Sequence, residues 1–431
     1  MIAIIGAGLA GMSVAVNLRP PEYRIFDREQ SPGGLCRSHV MDGFTFDFTG
    51  HLLHLKTPDA RRMVGSLLDG RLVKIKRNAA VYRRGRYVPY PFQAHLFNLP
   101  TRVARACLAG FLNAARRRDP SVRHPDFKRW VTAWFGSGIA RHFFIPYNKK
   151  LWCRDLRLLT ASWADWSVPR PTVQEVLRGV LGVPNAGMGY NATFYYPAAG
   201  GIGVLAKALA EKVPDLETGS CVRAVNLGCR TLTLAGGKTV GYSRLIATLP
   251  LPALLRMIED APAWLRTAAS RLSAVAVHNI NIGVNRPRIT PHHWIYFPDP
   301  DMPFYRVGCY SNFTPAMAPR GASSLYVEIA APDAARLDPE ALFEASLEGL
   351  RRCGILRSSD RIVARHDATI PCAYVVFDKR RERLLPRIRA YLAAHNVTLA
   401  GRYGAWTYAS MQDALLEGRR IARDVRNTLR L

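Results

Sequence analysis

The chain has 431 residues, 48% of them apolar and 21% charged, a make-up that suits a globular enzyme with more than one core and excludes a disordered or fibrous chain. No run reaches the roughly 18 apolar residues that a membrane-spanning helix needs. The formal charge of +28 is read first as an arginine-rich composition and second as an attraction to an anionic membrane surface or substrate, with no nucleic acid expected.

In chain order, the opening reads as a short strand over 1–5, the turn Gly6-Ala7-Gly8-Leu9-Ala10-Gly11, and a helix over 12–18. Strand, glycine turn and helix together turn G-x-G-x-x-G into a dinucleotide-binding pattern. Gly6 permits the tight turn, Gly8 lets the backbone approach a pyrophosphate, and Gly11 lets helix and strand pack closely. The helix N-terminus then faces the phosphates with its partial positive charge. A second strand, Tyr23 to Phe26, ends at Asp27, about where an acid should take ribose hydroxyls. Gly33, Gly34 and Arg37 follow in a second glycine turn. This pair of turns resembles the signature of the amine-oxidase and UDP-galactopyranose-mutase group of flavoproteins, which implies FAD as the cofactor.

The segment from Val103 through Cys107, Leu108, Phe111 and Leu112 to Arg116, Arg117 and Arg118 has helical spacing. It reads as a core-packed helix with a solvated basic end, or as an amphipathic helix lying on a membrane. Eight cysteines are scattered without a C-x-x-C pair. With no basic leader ahead of the glycine loop, they read as reduced thiols of a cytoplasmic protein, without a zinc site.

Several stretches in register resemble one family, the UDP-galactopyranose mutases of eukaryotic type: Asp42 to His51, Val88 to Gln93, Pro146 to Trp152, Asn191 to Phe194, Trp294 to Phe297, Pro303 to Arg306, and Gly401 to Asp413. The resemblance implies that Gly6, Gly8, Ala10, Gly11, Asp27, Gly33, Gly34, Arg37, Gly50, Val222, Arg402 and Gln412 bind FAD. It implies that Tyr90, Phe92, Gln93, Asn148, Trp152 and Asn191 hold the nucleoside and sugar. His51 would support the flavin, while Arg306, Tyr296, Tyr374 and Tyr408 would hold the diphosphate. Flat aromatic faces suit a base, and an arginine fork suits a phosphate. Each residue also has a plainer reading: Phe92 and Trp152 as core packing, Tyr296 as a buried phenol, His51 as a loop histidine, and Arg306 as a strand charge needing a partner.

The sequence also departs from the family. Ser167 stands where a second diphosphate arginine is expected, with Arg170 three residues on, and Met411 precedes Gln412 and Asp413 in place of an asparagine. Tyr374 keeps only part of a Tyr-Pro motif.

The expected fold is α/β, a discontinuous Rossmann-type FAD-binding domain with a helical insertion and an antiparallel β-sheet substrate domain. Its parts are drawn at 1–80, 196–265 and 386–431 for FAD, 81–195 for the insertion, and 266–385 for the sheet. The expected activity is pyranose–furanose interconversion of a UDP-sugar or related nucleotide sugar, an isomerase reaction in which N5 of reduced FAD attacks the anomeric carbon. NAD(P)H is the candidate external reductant, and peripheral membrane contact is an added expectation. The alternative is an FAD-dependent oxidoreductase of the amine-oxidase type.

Overall fold

The computed structural model describes residues 1–18, 22–119, 121–164, 168–183, 185, 188 and 192–429. Strand β1 (Ile2–Ile5) is an apolar run buried on both faces. It leads through the first glycine turn into helix α1 (Leu9–Asn17), and strand β2 (Tyr23–Phe26) follows. β1 pairs in parallel with β2 on one side and with Arg244–Ala247 on the other. Val397–Leu399 and Leu216–Glu217 complete a five-stranded sheet at its two edges. All its pairings are parallel, and its central strands are short, mainly apolar and mostly buried, as such sheets require. The mixed α/β class therefore holds, and one sheet is gathered from distant parts of the chain.

Helix α2 (Thr101–Arg117) buries Val103, Cys107 and Phe111, so its apolar stripe faces the core rather than a membrane. It packs on helix α3 (Phe127–Ile139) at backbone distance. A Cβ on Gly136 would lie 2.1 Å from the Gly110 carbonyl oxygen, and one on Gly138 would lie 2.2 Å from that of Ala106. Gly136, at φ +75°, kinks α3 and lets the two backbones touch. A π-helical turn over Ala140–Phe144 then runs into helix α4 (Ile145–Trp152).

The second large sheet contains seven strands: β3 (Ala79–Arg83), β4 (Arg86–Pro89), β5 (Ala274–Val284), β6 (Trp294–Tyr296), β7 (Arg306–Cys309), β8 (Ser323–Ala331) and β9 (Ile362–Val375), in the order β9-β5-β8-β7-β6-β3-β4. The β3–β4 hairpin thus sits at the end of this sheet, and a boundary drawn at residue 80 falls within β3. The buried run Ala79-Ala80-Val81 is taken up by parallel pairing with β6. One face of the sheet carries Ile280, Ile282, Ile295, Val307, Leu325 and Val327 into a core closed by the helix Pro339–Arg352. The other face is polar and meets the glycine-rich unit: the Asn281 amide and the Tyr310 hydroxyl both donate to the Asp47 carbonyl. Among the described residues no helix is long and apolar enough to cross a membrane.

Candidate active site

The three glycines of the first turn do different work. A Cβ on Gly6 would lie 2.3 Å from the Thr248 hydroxyl, and one on Gly11 would lie 2.0 Å from the Gly6 carbonyl oxygen, so both positions are fixed by packing. A Cβ on Gly8 would meet no atom within 4 Å. Gly8 is also the N-cap of α1, whose first internal bond runs from the Met12 amide to the Gly8 carbonyl. The amides of Leu9, Ala10 and Gly11 precede that bond, beside a surface without a side chain. This is the form a diphosphate needs, and a Cβ would fill it.

Other residues hold the cradle in shape. The Asp27 carboxylate accepts from the Ala7 amide at 2.6 Å and the Glu29 amide at 2.9 Å, bracing the turn from behind. The Gly33 amide donates to the Ala7 carbonyl at 2.8 Å, and a Cβ on Gly34 would approach the Gly8 Cα to 3.4 Å, so the two glycine turns run side by side. Arg37 donates to the Gly34 carbonyl at 2.8 Å and pairs with Glu29. Ala10 abuts Gly401, whose positive φ of +70° brings its backbone close to α1. The Gln412 side-chain oxygen accepts from the Lys56 and Thr57 amides, tying helix α5 (Met411–Leu429) to that loop. Val222 lies apart from the turns, in a three-stranded sheet with Thr231–Leu234 and Thr239–Gly241.

Across the inner face of the seven-stranded sheet, strand register builds one polar row. Tyr296 pairs with Arg306, Arg306 with Glu328, and Glu328 with Asn279. Side chains of one row point the same way. Arg306 therefore meets Glu328 as a fork, through Nε at 2.6 Å and Nη2 at 2.5 Å. The Glu328 side chain is fully buried, while that of Arg306 remains 20% exposed. In the next row Gly308 faces Tyr326. The Tyr326 ring is wedged between two glycines, since its hydroxyl would lie 2.3 Å from a Cβ on either Gly50 or Gly308.

Tyrosines surround this row. Tyr296 packs against Tyr90 with ring centroids 5.0 Å apart and meets the edge of Tyr147 at 5.4 Å. The hydroxyls of Tyr305 and Tyr374 lie 3.4 Å apart. Burial pushes the phenols of Tyr296 and Tyr374 above the ordinary range, so they serve as neutral hydrogen-bond groups. The Arg402 guanidinium lies over Tyr408 at 4.7 Å and Tyr374 at 5.3 Å, and its Nε is buried with no hydrogen-bond partner among the described residues. An unmet buried donor of a cation is costly unless a ligand takes it. Burial lowers His51 to about 4, so its ring is neutral, and Nδ1 lies 3.3 Å from the Thr49 carbonyl.

Helix α4 closes one side of the site. Asn148 accepts from the Trp152 indole at 3.1 Å and donates to the Phe144 carbonyl at 2.9 Å, so its amide is engaged within the helix. Trp152 is buried against Trp163 and Tyr374. Phe92 is fully buried on Phe143. Gln93 donates to the Pro169 carbonyl, and its oxygen has no hydrogen-bond partner among the described residues. The Lys150 ammonium donates to the carbonyls of Phe297 at 2.9 Å, Phe304 at 3.1 Å and Asp299, pinning α4 to the β6–β7 connection.

Asn191 and Ser167 lie outside the described residues. Arg170 rests over the Trp134 ring at 4.3 Å. Sequence reasoning missed Glu328, Tyr147, Tyr305, Tyr326 and Thr248. Glu328 had a signal, as the lone acid in the apolar run Ser323–Ala331, where it demands a buried partner.

A family model described as flavin containing amine oxidoreductase matches residues 9–426. Among solved structures, the chain is similar to a reduced UDP-galactopyranose mutase, with 28% identity, a TM-score of 0.91, and coverage of 99% of this chain and 95% of that one. A putative protoporphyrinogen oxidase from Exiguobacterium sp. 255-15 gives 14% identity, a TM-score of 0.74 and coverage of 99% and 98%. Wild-type putrescine oxidase bound to putrescine gives 16% identity, a TM-score of 0.67 and coverage of 99% and 98%. These last two share the fold.

Proposed function

The chain belongs to the flavin containing amine oxidoreductase family, and from that premise we propose that it is an FAD-dependent mutase, an isomerase interconverting pyranose and furanose rings of a UDP-sugar or a close relative. The observation that carries this reading is the Tyr296–Arg306–Glu328 row: a forked cation on the tyrosine-lined inner face of the sheet. An amine or alkene substrate has no use for such a cation, whereas a diphosphate does. The likeness to a UDP-galactopyranose mutase over 99% of the chain supports the same choice.

In this reading the amides at the α1 N-terminus and the open surface at Gly8 take the FAD diphosphate, while Asp27 and Arg37 keep the two turns in place. Reduced flavin, with NAD(P)H as candidate reductant, supplies a nucleophile toward the sugar. The protein's part is positioning and charge stabilisation. Arg306 holds the leaving diphosphate, its angle fixed by Glu328, while the neutral phenols of Tyr296 and Tyr374, together with the Tyr408 hydroxyl, donate to phosphate oxygens. His51, neutral above about pH 4, lends the flavin side a hydrogen-bonding ring without adding charge. Tyr90, Phe92, Gln93 and Trp152 form the nucleoside pocket. Asn148 joins it by giving up its bond to Trp152. The work of a second diphosphate arginine falls to Arg402, whose Nε is unmet, since Arg170 is held on Trp134.

The test is titration of UDP and UDP-galactose into the purified flavoprotein, oxidised and dithionite-reduced, with product analysis. Furanose formed by the reduced enzyme alone supports the mutase. UDP binding without that product keeps the nucleotide site and changes the sugar. No UDP binding in either redox state moves the assignment to an amine-oxidase type oxidoreductase.

A further inference from the structure

Outside the site just described, a cleft of about 500 Å³ opens between the start of α3, the side of α4 and the turn that follows it, lined by Lys128, Lys149, Arg154, Asp155 and Arg157 among others. We propose that this cleft binds a phosphate group of a second ligand. Four cations converge there on one carboxylate, and that carboxylate is already taken, because Arg157 grips Asp155 through Nε at 2.8 Å and Nη2 at 2.5 Å. Arg154 is positioned by neutral groups and makes no ion pair within 4.0 Å among the described residues. Cys153 ends α4 at φ +52° and turns the chain back, and the Arg154 guanidinium is held by the Trp152 carbonyl and the Ser273 hydroxyl, each at 3.2 Å. Lys128 and Lys149 make no ion pair within 4.0 Å among the described residues, and both side chains border solvent. A fixed guanidinium flanked by exposed ammonium groups suits a phosphate monoester or diphosphate, which accepts from several donors at once.

The chain's excess charge alone does not produce this arrangement. These groups share a concave wall that holds their fields together. Two sources supply the same chemistry. One is a soluble phosphate ester. The other is an anionic lipid headgroup, for which Leu158, 62% exposed beside Arg157, offers an apolar contact at the rim.

The experiment titrates inorganic pyrophosphate into the flavin-loaded protein by calorimetry, with three variants alongside. Lys128→Glu/Lys149→Glu should lower affinity at least tenfold. Arg116→Glu/Arg117→Glu changes the net charge equally on exposed positions of α2 and should bind as the parent does. Arg306→Met/Glu328→Gln, which leaves no buried charge unpaired, should also keep pyrophosphate binding, and this separates the cleft from the nucleotide site whatever UDP does. Unchanged affinity in the Lys128/Lys149 variant, an equal loss in the Arg116/Arg117 variant, or loss in the Arg306/Glu328 variant overturns the proposal. Sedimentation with phosphatidylcholine vesicles, with and without phosphatidic acid, then assigns the source. Cosedimentation that needs both phosphatidic acid and the two lysines names a headgroup, and pyrophosphate binding without it names a soluble ester.

Discussion

Replacing Arg306 by alanine strands Glu328, whose side chain is fully buried and whose two oxygens each lose a short bond. Breaking a buried pair from one side costs about 3–5 kcal/mol, because the remaining charge stays dehydrated. The same change removes a charge-assisted contact to any bound diphosphate, worth about 1.5–3 kcal/mol, or roughly 10- to 100-fold in affinity. The two effects separate in the double variant Arg306→Met/Glu328→Gln, where no buried charge is left unpaired. Urea unfolding should place Arg306→Ala well below the parent and return most of that loss in the double variant. Calorimetric titration of UDP should show weak binding in both. If Arg306→Ala unfolds at the parental urea concentration, the pair is not holding the sheet. A double variant that binds UDP like the parent refutes the phosphate role of Arg306.

Gly8→Val should fold, because nothing lies within 4 Å of the new Cβ, yet be isolated without flavin; circular dichroism and the flavin spectrum report the two separately. Gly11→Ala should fail at folding instead, since its methyl group would lie 2.0 Å from the Gly6 carbonyl oxygen, and normal soluble yield would contradict this. Burial holds His51, His54, His142 and His293 at about 4, below the 6.5 of an unfolded chain. The unfolded state therefore binds protons first, and stability should fall as pH drops from 6.5 toward 4. Asp47, raised to about 6 by burial, works in the opposite sense, losing stability as pH rises from 3.8 through 6. His51→Gln should make the acid limb of urea midpoint against pH shallower, and an unaltered slope would show that His51 is not buried neutral. Gly50→Ala should displace Tyr326 and lower UDP affinity while flavin stays bound; equal affinity would separate the two ends of the site.

The cofactor cradle was legible because its signal is local: strand, glycine turn and helix lie within 17 residues, and backbone geometry dictates the glycines. The row Tyr296–Arg306–Glu328 was legible only in part. Arg306 stood out as a charge among apolar and aromatic neighbours, but its partner is 22 residues away and is chosen by strand register. Tyr326 needs two glycines distant in sequence, Gly50 and Gly308, and pairwise closeness of that kind leaves no trace in spacing. The β3–β4 hairpin follows directly on the strand Leu72–Lys76, while β3 pairs with β6, a partner that only the tertiary fold selects. The engagement of the Asn148 amide with Trp152 follows from the i to i+4 geometry of α4 and is not marked by residue type alone.

The last strand of the parallel sheet, Val397–Leu399, and the helix α5 that lies against α1 come some 400 residues after the glycine turn they support. The Ser13 hydroxyl donates to the Leu415 carbonyl at 2.7 Å, so the back of the cradle is finished by a helix made about 400 residues after it. On the ribosome, the segment that carries the glycine turn therefore emerges well before the surface that steadies it, so flavin capture should wait until α5 has been made. A ribosome stalled before α5 should carry a chain that takes up no flavin, however long it waits.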